Sequence, residues 1–166
     1  MVDSAAFRRT LGHYPTGVCA ITSLADGRPV GMTVGSFTSM SLEPPLVGFF
    51  PDKRSTSWKT IRSAARFCVN VLADDQQDVC RALSSKVADK FSGIDYLLSN
   101  RALPQIQGAA AWIECDLYAE YEVGDHFVAI GQVASLAVDL DCRPLLFLKG
   151  EYREIGPGLP STSMLG

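Results

Sequence analysis

A segment rich in hydroxyl groups and with almost no charge, residues 31–45, is the part of this chain whose residue types point most directly to ligand binding. Its hydroxyl residues and its internal glycine are Thr33, Ser36, Thr38, Ser39, Ser41 and Gly35. Such a segment can present backbone N–H groups and hydroxyls to a flat polar ligand without placing a charge against it. A core strand would need a hydrogen-bond partner for each buried hydroxyl. The alternative is a loop whose hydroxyls are solvated.

A basic segment follows at residues 53–66, where five cations occur without an acid in a chain whose net charge is −3. These cations are Lys53, Arg54, Lys59, Arg62 and Arg66. Ser55 and Thr56 stand at the expected start of a helix, and a helix start exposes N–H groups and the positive end of the dipole. The segment therefore suits a phosphate group, although it lacks the glycines of a Walker A loop. The alternative is a solvated cationic face with an ordinary N-cap.

A histidine, His126, follows Gly124 and Asp125 in a turn between two predicted strands. Asp125 can fix the tautomer of the imidazole and orient it. The alternative is a surface histidine that only shapes the turn. No Gly-x-Ser-x-Gly motif and no cysteine beside a base occurs in the sequence. These absences argue against hydrolysis and favour chemistry carried by a cofactor.

Short runs of β-forming residues predominate among the elements that must position these groups. We predict strands at residues 18–23, 30–34, 46–50, 67–72, 112–123, 126–138 and 145–148. The clean alternation over 112–123 is typical of a half-buried antiparallel strand. Helices are predicted at 7–11, 56–65 and 75–87, the last with Asp74 as its N-cap. This order predicts a mainly β fold with a few helices, closed as an antiparallel barrel because closure removes exposed edges.

Length and composition indicate one globular domain, which we place at residues 1–155, with a flexible tail at 156–166. The chain has 166 residues, 47% of them hydrophobic and 20% charged. Its net charge of −3 gives no electrostatic case for nucleic acid. No apolar run is long enough for a membrane span, and residues 1–9 lack the core of a signal peptide. Five scattered cysteines and two histidines indicate a reducing, cytoplasmic location and argue against a metal site.

A set of motifs in a fixed order resembles the short-chain flavin reductase family, the reductase components of two-component flavin-dependent monooxygenases. The motifs are PTGV at 15–18, GMTVGSFTS at 31–39, PPLV at 44–47, KRST at 53–56, FCVNVL at 67–72, KF at 90–91, GDH at 124–126 and PLLF at 144–147. The resemblance spans about residues 5–153. Each motif is weak alone, but the ordered set is specific.

The resemblance implies an antiparallel split β-barrel of the FMN-binding type, a homodimer, and reduction of FMN or FAD by NADH or NADPH. The reduced flavin would go to a partner oxygenase. By position, Thr33, Val34, Gly35 and Ser36 would line the isoalloxazine edge, Ser39 the ribityl chain, and Lys53, Arg54, Ser55 and Thr56 the phosphate site. Phe91 would lie close to the flavin, and His126 would meet the nicotinamide substrate.

Two departures from the family pattern affect this reading. Gly35 stands where many relatives have Asn, so a side-chain hydrogen bond to the flavin would be absent. Residues 148–150 read Leu-Lys-Gly where His or Tyr followed by Arg is frequent, which weakens any role for the final strand.

Two other functions stay open on the sequence. One is a non-catalytic flavin- or haem-binding split-barrel module. The other is an oxidase resembling the pyridoxamine-phosphate oxidases, which would want more basic phosphate ligands than this chain offers. The sequence does not separate FMN from FAD or NADH from NADPH. Apolar strand surface at 46–50, at Trp112 and at 126–138 exceeds what a small barrel hides, which independently favours a homodimer.

Overall fold

The computed structural model describes residues 1–158, which form three helices and twelve strands. The helices are α1 (Ser4–Leu11), α2 (Thr56–Ala64) and α3 (Gln77–Ser84). The strands are β1 (Thr16–Gly17), β2 (Cys19–Ala25), β3 (Arg28–Val34), β4 (Thr38–Ser41), β5 (Leu46–Phe49), β6 (Arg66–Val71), β7 (Tyr96–Leu98), β8 (Pro104–Ile106), β9 (Ala111–Val123), β10 (His126–Val138), β11 (Leu146–Leu148) and β12 (Glu151–Arg153). Most of the predicted tail, residues 159–166, lies outside the described residues.

A seven-stranded sheet in the order β3-β2-β6-β9-β10-β5-β4 is the framework of the molecule, and all of its neighbouring pairs are antiparallel. Its first hairpin forms locally, because Asp26 and Gly27 both take positive φ values, 51° and 72°. A two-residue turn of this kind matches the twist of the strands it joins. The predicted mainly antiparallel β fold with a few helices is confirmed.

Hydrogen-bonded closure of this sheet is the part of the barrel prediction that fails. Within residues 1–158 its two edges are β3 and β4, and they do not pair with each other. Helices α2 and α3 pack against β3, and α2 also contacts the neighbouring strands β2 and β6. Two small sheets, β1-β11-β12 and β7-β8, complete the fold. No helix in the described residues is both long enough and apolar enough to cross a membrane.

Two hydrophobic clusters fix the helices on the sheet. In the first, Phe49 contacts Trp58 and Phe67 edge to face, with ring centroids 5.2 and 5.4 Å apart. In the second, Cys80 and Leu83 of α3 are buried beside strand residues of the sheet. Burial of this kind stabilises by roughly 25 cal/mol for each Å² of apolar surface removed from water. The clusters hold the start of α2 and one face of α3 beside the end of β3.

The start of α3 differs from the sequence prediction. The helix begins at Gln77, and Asp74 is not its N-cap. The Asp74 carboxylate lies 3.4 Å from the guanidinium of Arg143, and the side chain of Gln76 accepts a hydrogen bond from the backbone N–H of Ala73. Contacts with a distant loop therefore replace the local capping bond that the sequence suggests.

Strand β9 also departs from simple alternation. Cys115 is buried as predicted, but Glu114 on the opposite face is only 3% exposed. Hairpin β7-β8 and its loop cover that face, where Gln105 and Arg101 approach the carboxylate of Glu114. Towards the β9–β10 turn, Tyr121 and Val123 are instead exposed. The far half of this hairpin therefore presents apolar surface to solvent.

Candidate functional site

Two adjoining cavities lie between the end of β3, the start of α2 and helix α3. The smaller, of about 210 Å³, we call the aromatic cavity; it is lined by Thr16, Val18, Thr33, Val34, Gly35, Cys80, Ser84, Phe147 and Tyr152. The larger, of about 770 Å³, we call the cationic cavity; it is lined by Met32, Thr33, Asp52, Arg54, Ser55, Thr56, Ser57, Leu83, Ser84, Ser85, Lys86, Val87 and Lys90. Thr33 and Ser84 line both cavities, and their hydroxyl oxygens are 2.6 Å apart. The two cavities therefore adjoin at this pair of hydroxyls.

The aromatic cavity has no charged side chain among its lining residues. Phe147 and Tyr152, from the β11–β12 hairpin, form one wall, with ring centroids 5.6 Å apart. The Tyr152 hydroxyl donates to the sulfur of Cys80 at 3.3 Å. This hydrogen bond and burial raise the pKa of Tyr152 to about 12, so the phenol is neutral at physiological pH. The cavity suits a flat, uncharged heteroaromatic ring.

The hydroxyl-rich segment contributes only part of its predicted residues to this cavity. Val34 and Gly35 line it, and a Cβ at Gly35 would lie 3.0 Å from the Thr16 hydroxyl, so glycine permits the close approach of β1. Ser36 instead accepts a hydrogen bond from the backbone N–H of Phe50 at 2.9 Å. Ser39 is exposed in β4, and neither serine is among the lining residues of the two cavities.

The cationic cavity is built around the start of α2. Ser55 is the N-cap of this helix, and its hydroxyl accepts from the N–H of Trp58 at 3.1 Å. Thr56 is the first helical residue, so helix N–H groups face the region that the predicted phosphate site occupies. Arg54 lines the cavity but also binds both oxygens of Asp52, and these hydrogen bonds hold the pKa of that carboxyl far below its usual range.

Lys53, the other cation of the predicted phosphate site, lies elsewhere. Its ammonium is 2.8 Å from the carboxylate of Glu122 and 5.8 Å from the ring centroid of Phe127. The hydrogen bond from Lys53 lowers the pKa of Glu122. Lys53 is not among the residues that line the cationic cavity.

His126 is the first residue of β10 and stands beside the rim of the cationic cavity. It forms a backbone bridge with Asp52, which lines that cavity. Its Nδ1 donates to the Asp125 carboxylate at 2.7 Å, and this bond together with the charge of the imidazole lowers the pKa of Asp125. The side chain is 43% exposed, so Nε2 is the nitrogen available to a ligand.

Sequence reasoning missed most of the site. Of the twenty residues that line the two cavities, fourteen were not predicted as site residues. Among these fourteen are Cys80, Ser84, Lys86, Lys90, Phe147 and Tyr152. These six belong to α3, the loop after it and the final hairpin, which tertiary packing brings to β3. The predicted residue Phe91 is buried in the second core cluster and does not line either cavity. The motifs at 90–91 and 144–147 contain Lys90 and Phe147, and they are the signals that could have found them.

Taken together, the cavities fit a nucleotide whose ring is flat and uncharged and whose other end carries phosphate. The ring end meets neutral side chains, and the phosphate end meets a helix N-terminus with Arg54, Lys86 and Lys90. Within residues 1–158 no group of three or more metal-ligating side chains occurs.

Comparisons with known proteins agree with this geometry. Residues 11–156 match the model of the flavin reductase like domain. A flavin reductase of Pseudomonas putida is 53% identical over 152 residues, which cover 91% of this chain and 89% of that protein. The reductase subunit of a flavin-dependent monooxygenase of Rhodococcus jostii is 47% identical over 156 residues, 94% of this chain and 80% of that protein.

A solved structure extends the likeness to three dimensions. The NADH:FAD oxidoreductase of Streptomyces globisporus, in complex with NAD and FAD fragments, superposes with a TM-score of 0.88 at 34% identity. The match covers 93% of this chain and 94% of that one. The open seven-stranded sheet with its small accessory sheets is thus the split-barrel fold of that family.

Proposed function

Because this chain belongs to the flavin reductase like family, we propose that it uses NADH or NADPH to reduce free FMN or FAD and supplies the reduced flavin to a partner monooxygenase. The observation that carries this proposal is the pair of cavities joined at Thr33 and Ser84, one neutral and one cationic. A flavin has the same polarity, with a neutral ring at one end and phosphate at the other. The chain is accordingly an oxidoreductase.

The bound flavin supplies the ring that accepts a hydride, and the protein supplies its position and surroundings. Backbone N–H groups and hydroxyls at Thr33, Val34, Gly35 and Ser36 would hold the ring edge and stabilise the negative charge that develops there. Ser39 is assigned to the ribityl chain, and Arg54, Ser55 and Thr56 to the phosphate. The aromatic wall of Phe147 and Tyr152 would keep water from one side of the ring. No side chain needs to act as a covalent nucleophile.

Four predicted flavin contacts stay proposals with less support. Ser36 accepts a hydrogen bond from the backbone N–H of Phe50, Ser39 is exposed in β4, and neither lines a cavity. The ammonium of Lys53 contacts Glu122, so it would reach a phosphate only by leaving that carboxylate. Phe91 lies below Gly31, where an added Cβ would come within 3.1 Å of its ring. The ring of Phe91 therefore packs against β3 at Gly31.

His126 is assigned to the nicotinamide substrate. Asp125 holds Nδ1, so Nε2 of the imidazole can bond to the carboxamide or a pyrophosphate oxygen of the nucleotide. Such a contact aligns the nicotinamide for transfer. His126 thus acts by positioning its ligand.

The exposed apolar surface supports the proposal of a homodimer. Exposed apolar residues on β9 and β10 include Tyr121, Val123, Leu136 and Val138, and patches of this kind favour a homodimer. The contact with the oxygenase would be transient, because free flavin carries the reducing equivalents between the two proteins. The proposal places this chemistry in the cytoplasm.

Oxidation of NADH and NADPH, followed at the nicotinamide absorbance band, tests the activity. We expect oxidation only when FMN or FAD is added, with a rate that saturates in flavin. Protein without flavin and flavin without protein are the controls. Tight flavin binding without flavin-dependent oxidation of either nicotinamide would refute the enzymatic reading and favour a non-catalytic binding module.

A further inference from the structure

We propose that Cys80 is a positioning residue for the flavin ring, because its sulfur holds the phenol of Tyr152 in the wall of the aromatic cavity. This inference rests on the proposed function, which places the flavin ring in that cavity. Cys80 acts on the ring through Tyr152, and both residues line the aromatic cavity. The hydrogen bond between them joins α3 to the final hairpin.

Three contacts hold the side chain of Tyr152 in place. Its hydroxyl donates to the sulfur of Cys80 at 3.3 Å, and this is the only hydrogen bond of that hydroxyl within residues 1–158. The ring of Phe147 meets the ring of Tyr152 at an interplanar angle of 66°. The guanidinium of Arg81, which also binds the carboxylate of Asp78, lies 5.5 Å from the centroid of the same ring. The ring thus has two neighbours, whereas its hydroxyl depends on Cys80 alone.

Helix α3 joins this wall of the aromatic cavity to strand β3, which also lines the cavity. The hydroxyl of Ser84 donates to the backbone carbonyl of Cys80 at 2.7 Å. Because that hydroxyl has a single proton, the 2.6 Å contact between Ser84 and Thr33 is a hydrogen bond that Thr33 donates. The sulfur of Cys80 therefore serves the phenol, and its carbonyl serves the bond towards β3. A substitution of the side chain removes the first of these contacts and keeps the second.

Loss of the sulfur would leave the phenol of Tyr152 without its acceptor. Cys80 is only 6% exposed, so water does not replace the sulfur without entering the cavity. A partly buried hydroxyl that lacks a partner either draws in water or turns towards the ligand. The pKa of Tyr152 is raised to about 12, so the phenol stays protonated at physiological pH and needs an acceptor. Either change puts a polar group where the wall otherwise offers an aromatic ring.

Lumiflavin, which is the isoalloxazine ring without a ribityl chain or phosphate, tests this wall separately from the cationic cavity. Its fluorescence is followed while wild type or a variant is titrated. Cys80→Ala and Tyr152→Phe should each weaken binding by about fivefold, because each removes the same hydrogen bond. Cys80→Ser keeps an acceptor and should bind within about twofold of wild type. The double variant Cys80→Ala with Tyr152→Phe should bind no more weakly than either single variant.

Cys68→Ala is the matched control, because Cys68 is a fully buried cysteine of β6 that lines neither the aromatic nor the cationic cavity. It should lower the free energy of unfolding in urea and leave lumiflavin affinity unchanged. A merely structural role of Cys80 predicts the same outcome for Cys80→Ala. Urea denaturation of every variant therefore accompanies the titrations.

The inference is overturned if wild type does not bind lumiflavin, if Cys80→Ala binds it as wild type does, or if Cys80→Ser loses as much affinity as Cys80→Ala. Additive losses in the double variant would also overturn it. If Cys80→Ala does not fold, the other two single variants decide: weaker binding by Tyr152→Phe with retained binding by Cys80→Ser supports the inference, and any other pair of results overturns it.

The proposed function is tested by a different measurement, since no nicotinamide is present in these titrations. A protein that shows the expected pattern with lumiflavin but does not oxidise NADH or NADPH with either flavin would refute the proposed reductase activity. Cys80 would then still position a bound ring. Flavin-dependent oxidation together with unchanged lumiflavin binding in Cys80→Ala would refute the role of Cys80 alone.

Discussion

The cations near this site differ in what they already contact, and this difference decides which of them can serve a ligand. Lys53 is paired with Glu122, and Arg54 binds Asp52 through two hydrogen bonds. Within residues 1–158, Lys90 contacts only a hydroxyl and a carbonyl. A ligand phosphate must displace an existing partner at Lys53, but at Lys90 it adds a partner. Residue type and sequence neighbourhood do not reveal this.

His126→Ala should raise the KM for the nicotinamide and leave flavin affinity nearly unchanged. The imidazole is held by Asp125 at the rim of the cationic cavity, so its loss removes one hydrogen bond to the nicotinamide nucleotide. The expected increase is about fivefold to tenfold, with a smaller fall in kcat because transfer needs alignment. Steady-state kinetics with each substrate varied in turn measure both effects.

The chain provides a matched control for this variant in its second histidine. His13 is exposed at the end of α1, where its ring contacts the carbonyl of Arg9. His13→Ala should leave both KM values unchanged. If His126→Ala also leaves both KM values unchanged, His126 only shapes its turn and is not part of the nicotinamide site.

At the scale of elements, the start of α2 combines a structural and a binding role. Ser55 caps the helix, and Thr56 with the first helical N–H groups faces the cationic cavity. The cap keeps these N–H groups in place, because Ser55 binds the N–H of Trp58, whose side chain is in the core. Stability and phosphate binding therefore depend on the same serine, and a suitable pair of substitutions separates them.

Ser55→Ala should lower the free energy of unfolding by about 1 kcal/mol, because it leaves the N–H of Trp58 without its cap. Ser55→Asp keeps a capping oxygen and adds favourable negative charge at the helix start, so it should restore most of that stability. The same carboxylate repels phosphate, so FMN affinity should fall in Ser55→Asp. Urea denaturation and flavin titration measure the two properties.

Riboflavin, which lacks phosphate, is the ligand control for this pair. Its affinity should be equal in wild type and Ser55→Asp. If Ser55→Asp binds FMN as tightly as wild type does, the start of α2 is not the phosphate site.

Elements with a local signal could be predicted from the sequence. The Asp26-Gly27 turn, the cap at Ser55 and the turn before His126 all lie where their residues indicate. The start of α3 could not be predicted, because Asp74 is engaged by Arg143, which is far away in the sequence. The same holds for the aromatic wall of the site, since Tyr152 reaches Cys80 only after the final hairpin packs on α3.

At the scale of the whole molecule, the exposed apolar residues of the single chain bear on its oligomeric state. Helix α1 has eight residues and none of them is buried. Helices shorter than about 12 residues are marginal in water unless they pack against another surface. Phe7 and Leu11 of α1 are more than half exposed, as are Leu136 and Val138 of β10. We expect a second copy of the chain to cover these residues.

Sedimentation velocity at micromolar concentration should therefore give a dimer of the 17.9 kDa chain. Leu136→Glu, at a position that is 70% exposed in the single chain, should shift the protein towards monomer, because it places a charge in the apolar surface. Leu97→Glu is the matched control, since Leu97 is 63% exposed on the separate hairpin β7-β8. A wild-type monomer at this concentration would contradict the prediction.

The aromatic cavity takes one wall from the three-stranded sheet β1-β11-β12, in which β11 and β12 have three residues each and β1 has two. Short elements with few pairs open by local unfolding at a fraction of the global free energy. Amide protons of β11 and β12 should accordingly exchange with solvent long before those of the central strand β9. Local opening of this hairpin would expose one side of the ring site without unfolding the large sheet. A flavin that must leave after each turnover would then depart on the side of this short hairpin, and the large sheet would stay intact.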